Sequence, residues 1–298
     1  MGRTLLVHSG RENWRAWQKE HAPDQDLLIL DPANSDFAAP TRCLLVQQGK
    51  VVQTWFTGAI QASRNPLAIL VGMSRLMPLA GKDLIVVAPP VALSPISKQI
   101  LLGIAHQTTW VEIQIPAGHE SREWPWPIGP EEMEWEEGVP PLVRTAQRQS
   151  RWLELLENSN IHEIWLDQVR IEGVRLGSGQ VVKGELDDAI CEVSGGVLLV
   201  VTDHQLRDQD VSVAMDHAHA NRSILVRPSK YEGLICCLAL ESGEEIGLGR
   251  IQSFDMQKRL IKVASPAVVP APVKVLKIGA LRVEENGKES ETQAPWTV

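Results

Sequence analysis

Short, unbroken apolar runs alternate with stretches of helical spacing through the first third of this chain, and that alternation restricts the fold more than any other feature. Residues 4–7, 27–30, 83–87 and 110–115 are runs of strand type. Residues 13–21, 65–77 and 97–106 are amphipathic. The middle one starts at Asn65-Pro66, stops at Pro78, and puts Leu67, Leu70, Val71, Ser74 and Met77 on one face. Strands that are apolar throughout, separated by helices, predict a parallel sheet with helices on both faces. Ligands of such sheets sit beyond the carboxyl ends of the strands, so the loops after Val7, Leu30 and Val87 are the ones to inspect.

Residues 44–46 and 51–55 flank Gln47-Gln48-Gly49-Lys50 and predict a hairpin. From 117 to 141 the character changes. Glutamates crowd with prolines and with Trp124, Trp126 and Trp135, which predicts an extended acidic loop whose tryptophans either pack back or bind a partner. Residues 143–157 predict a helix carrying Arg144, Arg148 and Arg151 on one side. Runs at 163–166, 197–201, 223–226, 233–240, 260–263 and 273–278 then predict a mostly-β half punctuated by Gly and Pro. The expected domains are 1–158, with the acidic loop and arginine helix, then 159–283, then a polar, disordered tail at 284–298.

A net charge of −8 argues against a broad basic face for nucleic acid, so any such contact must be a local groove on an acidic body. Cys43, Cys191, Cys236 and Cys237 lack metal-site spacing and are expected to be reduced structural thiols. No apolar run approaches the ~20 residues that span a bilayer, and residues 5–7 are too short for a signal-peptide core. A cytoplasmic protein without membrane contact is the expectation. Asp216-His217-Ala218-His219 invites a metal reading if it lies in a strand, but no third ligand is evident, so no metal is expected. Asp203 and His204 lack a partnering serine in a hydrolase context. Residues 295–298 are either a peptide ligand or a plain tail.

The order of several weak motifs resembles the polynucleotide 5′-hydroxyl-kinase family of RNA processing. Leu30-Asp31-Pro32-Ala33-Asn34 stands where that family has Leu-Asp-x-Gly-Gln, Ala39-Pro40-Thr41 resembles its Pro-Pro-Thr turn, and Phe56-Thr57-Gly58-Ala59 resembles Phe-x-Gly-Ser. The helix from Asn65 follows in place, and Arg144, Arg148 and Arg151 resemble the lid arginines. In the second half, Ile246 to Ile251, Lys258-Arg259-Leu260, Ser265-Pro266 and Lys277 to Arg282 are similar in style. The resemblance implies a P-loop-kinase-like α/β domain, a lid and a β-rich C-terminal domain.

The departures fall on the chemistry. A P-loop wraps phosphates with glycine N–H groups, reaches them with a lysine and holds Mg²⁺ through Ser/Thr. On this resemblance His8 stands at the first glycine, Asn13 at the second, Trp14 at the lysine and Arg15 at the Ser/Thr, and an indole there would crowd the phosphate. Ala88-Pro89-Pro90 replaces Thr-x-Gly. The resemblance therefore implies a catalytically degenerate binding or scaffold subunit with a protein partner and no cofactor. RNA would be held, if at all, by Asn34 and the lid arginines. The alternative is a diverged active kinase using ATP and Mg²⁺, in which Asp31 acts on metal or hydroxyl and Ser9, Gly10, Arg11 and Arg15 hold phosphate. A third reading has the chain lend its lid or β domain to another chain's site. The bland counterparts are a strand-end role for Asp31, an ordinary turn at Ser9 to Arg11, and a solvated arginine face pairing with the acidic loop.

Overall fold

The computed structural model describes residues 2–90, 94–184, 186, 188–267 and 272–291. The chain forms two compact units, Met1–Arg151 and Trp152–Val298. The division falls inside a helix, ahead of the change of pattern near residue 158.

In the first unit β1 (Arg3–Leu6) leads to α1 (Trp14–His21), β2 (Asp26–Ile29) and the hairpin β3 (Arg42–Gln47) and β4 (Lys50–Phe56). Then come α2 (Pro66–Leu76), β5 (Leu84–Val87), α3 (Pro95–Ala105), β6 (Glu112–Pro116), β7 (Glu131–Met133) and α4 (Pro141–Glu157). The sheet order is β4-β3-β2-β5-β1-β6-β7. Strands β2, β5, β1, β6 and β7 run parallel, and β3 pairs antiparallel with both β2 and β4. Alternation along each strand feeds two cores. Leu5 and Leu28 pack on one face with Ile69 and Met73 of α2 and Ile100 and Ile104 of α3. Leu6, Ile29 and Val87 pack on the other with Trp14 of α1.

Helix α2 lies where the sequence places it, with Asn65 accepting from the Ala68 N–H as its cap, but it buries a different face. Ile69, Gly72, Met73 and Leu76 point inward, and Leu67 is 68% exposed. The helix is apolar nearly all round, so spacing alone does not choose the face. Gly72 chooses it. A β-carbon there would stand 2.9 Å from Trp55 Cδ1 and 3.0 Å from Cys43 Sγ, so only glycine lets the helix lie this close to the hairpin. The acidic segment is also more ordered than a loop: β7 adds to β6 from Gln114 to Pro116, and the tryptophans pack back, Trp124 and Trp126 on one core and Trp135 on the other.

In the second unit a seven-stranded sheet runs β18-β17-β14-β15-β16-β8, with β9 added on β17. Its strands are β8 (Asn160–Trp165), β9 (Arg170–Glu172), β14 (Leu234–Ala239), β15 (Glu245–Asp255), β16 (Leu260–Ser265), β17 (Val275–Val283) and β18 (Glu289–Glu291). A smaller sheet holds β10 (Gln180–Val181), β11 (Ile190–Ser194), β12 (Val197–Val201) and β13 (Arg222–Val226), the last two parallel and joined through α5 (Asp208–His217). One core joins the two sheets, with Leu199 and Val201 against Leu238, Ile261 and Leu276.

The second unit answers one conditional reading of the sequence and corrects one expectation. His217 closes α5 and His219 sits in a turn at φ 50°, so the two rings do not share a strand face. Among the described residues no group of three His, Cys, Asp or Glu could hold a metal. The polar stretch after Glu284 is not wholly a tail, because β18 pairs with β17 and Glu289 accepts a 2.7 Å hydrogen bond from the buried Trp152 indole. Residues 295–298 lie outside the described residues. No helix of the described residues is long and apolar enough to cross a membrane.

Candidate functional site

The loop after β1 folds around one of its own side chains. Gly10 takes φ +87°, a left-handed conformation that curls the chain and turns neighbouring N–H groups inward. Those donors meet the Glu12 carboxylate. The Ser9 N–H donates to Oε2 at 2.7 Å, the Ser9 hydroxyl to Oε1 at 2.7 Å, and the Arg11 N–H to Oε2 at 3.2 Å. Burial works against the Glu12 charge, but these hydrogen bonds outweigh it and hold the carboxyl below its usual range.

The surroundings close on the same loop. A β-carbon on Gly10 would lie 3.3 Å from Pro90 Cβ and 3.4 Å from an Arg144 guanidinium nitrogen. On another side, the segment before α4 straps the backbone: the Gly138 N–H donates to the Arg11 carbonyl at 2.6 Å and the Asn13 N–H to the Glu136 carbonyl at 2.8 Å. His8 is 2% exposed, and its Nε2 donates to the Ala88 carbonyl at 3.0 Å, which fixes the Nε2–H tautomer because a carbonyl only accepts. Its Nδ1 has no partner. Burial drives the imidazole down to about 4, Glu12 and the Ala88 carbonyl oppose that, and Arg144 adds to it.

Trp14 and Arg15 point elsewhere. Asn13 caps α1 by accepting from the Ala16 N–H, which starts the helix with Trp14 facing the sheet. The indole is buried among Leu6, Leu27, Ile29 and Val87. The expected crowding by tryptophan is therefore absent, and the Glu12 carboxylate fills the loop instead. The Arg15 guanidinium stacks 4.2 Å from the Phe37 ring centroid and donates to Gln18 Oε1 at 2.8 Å.

At the end of β2, Asp31 is 9% exposed and accepts from the Ala33 N–H at 3.0 Å. Burial raises its pKa to about 6, with that hydrogen bond and the charges of Arg144 and Arg148 pulling the other way. Asn34 spends its amide inside its own turn, giving to Asp36 Oδ2 and accepting from the Asp36 N–H, both at 3.2 Å. Helix α4 leans over this loop. Arg151 donates to the Ser35 and Asp36 carbonyls at 3.1 and 3.3 Å, and the fields of Arg144 and Arg148 fall on Asp31. The two later motifs also meet: Thr41, at φ 71°, donates its N–H to the Pro32 carbonyl and accepts from the Thr57 N–H.

The first unit thus gathers Ser9, Gly10, Arg11, Asp31, Arg144, Arg148 and Arg151 at the carboxyl ends of β1 and β2. Arg15 and Asn34 lie beside them but are engaged with their own neighbours. Sequence reasoning passed over Glu12 and Asp36, and it named His8 only as the residue in place of the first glycine. Glu12 had a signal, because Ser9-x-x-Glu12 is the spacing of a capping box, in which a carboxylate reaches back to the serine N–H.

No protein-family model matches the chain. A polyribonucleotide 5′-hydroxyl-kinase of Pyrococcus abyssi is 25% identical over 152 residues, 49% of this chain and 42% of the relative. One from Pyrococcus furiosus is 26% identical over 152 residues, with the same coverage. The chain spans less than half the length of these curated relatives. Among solved structures, one of the extended Pcf11p–Clp1p interface, which also concerns ATP loss in a point mutant, superposes with a TM-score of 0.55 at 11% identity, over 94% of this chain and 75% of that chain. A wild-type Clp1p–Pcf11p complex gives 0.54 at 10% identity, over 94% and 74%. The chain is polynucleotide-kinase-like in sequence, and its mixed α/β part with a β-rich second part is the fold of these structures.

Proposed function

We propose that this polynucleotide-kinase-like chain is a catalytically degenerate member of the RNA-processing machinery, acting in the cytoplasm as a binding or scaffold subunit. One observation carries the reading. The N–H and hydroxyl donors of the loop after β1, which a nucleotide's phosphates would need, are bonded to Glu12. Phosphoryl transfer is nearly all positioning and charge stabilisation. A loop with no lysine, its donors engaged and Arg15 stacked on Phe37 fits ATP and Mg²⁺ poorly. A protein partner is in keeping with the likeness to Clp1p–Pcf11p structures, and Arg144, Arg148 and Arg151 are the groups that would meet an RNA phosphate.

The test is transfer of label from γ-labelled ATP and Mg²⁺ to a 5′-hydroxyl RNA. We expect none above a no-protein control, together with co-purification of a protein partner from the native cell.

A diverged, active 5′-hydroxyl kinase is the second reading, favoured by Asp31. A buried carboxyl raised to about 6 beside two arginines is poised as a general base near neutral pH. Label transfer that Asp31→Ala abolishes would replace the first reading with this one.

A further inference from the structure

The Ser9–Arg11 loop has the donors of an oxyanion site and already contains an oxyanion. Two main-chain N–H groups and one hydroxyl converge on one carboxylate at 2.7 to 3.2 Å. That is how a backbone nest holds a phosphate oxygen. Gly10 supplies the left-handed residue that a nest requires. The Arg144 guanidinium borders it, and its charge and that of Glu12 both act on His8. His8 is almost completely buried beside this carboxylate, with Nε2 committed to Ala88 and Nδ1 unpartnered. A neutral imidazole with a free lone pair can accept a hydrogen bond, which a hydrogen phosphate can donate and a carboxylate cannot.

We infer that Glu12 is a built-in competitor: the nest of Ser9 and Arg11 is a competent site for a phosphate-type oxyanion, and the Glu12 carboxylate holds it closed. The inference rests on the degenerate-loop reading above and adds to it the group that causes the closure. The carboxylate is tethered next to the nest, so it is present at a high effective concentration, and a free anion must displace it from three donors. Neutralising it removes both the competitor and the like charge that repels an incoming phosphate.

The probe is inorganic phosphate, titrated by calorimetry without metal into the full chain and into Glu12→Gln and Glu12→Ala. Both variants should bind at least about tenfold more tightly than the parent. Adding Ser9→Ala to Glu12→Ala removes the hydroxyl, one of the three donors, and should take back a measurable part of that gain. The glutamine variant keeps a weaker, uncharged acceptor for the loop and carries the test should alanine loosen the fold, which near-ultraviolet circular dichroism checks. Parallel titrations with ATP and with a 5′-phosphorylated oligonucleotide identify the source of the anion. The same Ser9-dependent gain with ATP assigns the nest to a nucleotide, and a gain with the oligonucleotide and phosphate alone assigns it to a terminal phosphate.

Folded variants that bind phosphate no better than the parent overturn the inference, as does a gain insensitive to Ser9→Ala. Label transfer by the parent would instead sink the proposed function and leave this titration to decide on its own terms.

Discussion

Two residues of the site titrate with opposite consequences. His8 has a free value of 6.5 and a folded value of about 4, so between these the unfolded chain binds the extra proton. Its contribution is present above pH 6.5 and lost as the pH falls toward 4. Asp31 runs the other way. Its free value is 3.8 and its folded value about 6, so the folded chain holds the proton in that window. Its contribution is present below pH 3.8 and lost as the pH rises through 6. Over the shared window the two slopes oppose and flatten the parent's dependence on pH. Asp31→Asn removes one of them. The variant should be more stable than the parent at pH 7 by about 3 kcal/mol, and the gain should vanish near pH 4. Denaturant melts at three pH values measure this, and a gain independent of pH would mean that Asp31 is not buried as a titrating acid. Neither shift was legible in the sequence. Asp31 stood out through its neighbours Leu30 and Pro32, but the arginine charges that act on it come from α4, more than a hundred residues away. Glu12 was legible in principle from Ser9-x-x-Glu12 and was overlooked because the loop was read for what it lacked.

At the level of elements, apolar runs foretold β1, β2, β5 and β6, amphipathic spacing foretold α1, and spacing with the Asn65-Pro66 start foretold α2, because each of these is decided by residues close in sequence. Elements decided elsewhere were missed. β15 contains Gly247 and Gly249, and glycines within a strand read as turns. Here they are needed because a β-carbon on Gly249 would stand 2.4 Å from Val263 Cγ1 and one on Gly247 2.8 Å from Ala267 Cβ. β7 is two glutamates and a methionine that become a strand only because β6 offers an edge. The strap before α4 has the same character and yields a test. A β-carbon on Gly138 would lie 2.9 Å from both the Arg11 and Glu12 carbonyl oxygens. Gly138→Ala should force the strap off the loop at a cost of about 1–3 kcal/mol. Amide exchange should speed up at Asn13 and Gly138, and unchanged protection there would show that the strap yields without detaching.

Each of the two compact units has hydrophobic cores of its own. Scanning calorimetry should accordingly give a calorimetric enthalpy larger than the van't Hoff value, the sign of unfolding in more than one step. The acidic balance of −8 with three arginines gathered on α4 also sets a limit on RNA binding. If those three meet phosphates of a single strand, the logarithm of affinity should fall with the logarithm of salt at a slope of about −2. A much steeper slope would place the contact on some other surface. The cysteines give these questions a readout. All four are buried, Cys43 in the first unit and Cys191, Cys236 and Cys237 in the second. Burial pushes the Cys236 thiol up, far from reactive thiolate. A thiol reagent therefore finds nothing to modify until a unit opens. The rate at which each sulfur acquires a label becomes a clock for its own half of the chain, and peptide mapping can read both halves from one sample.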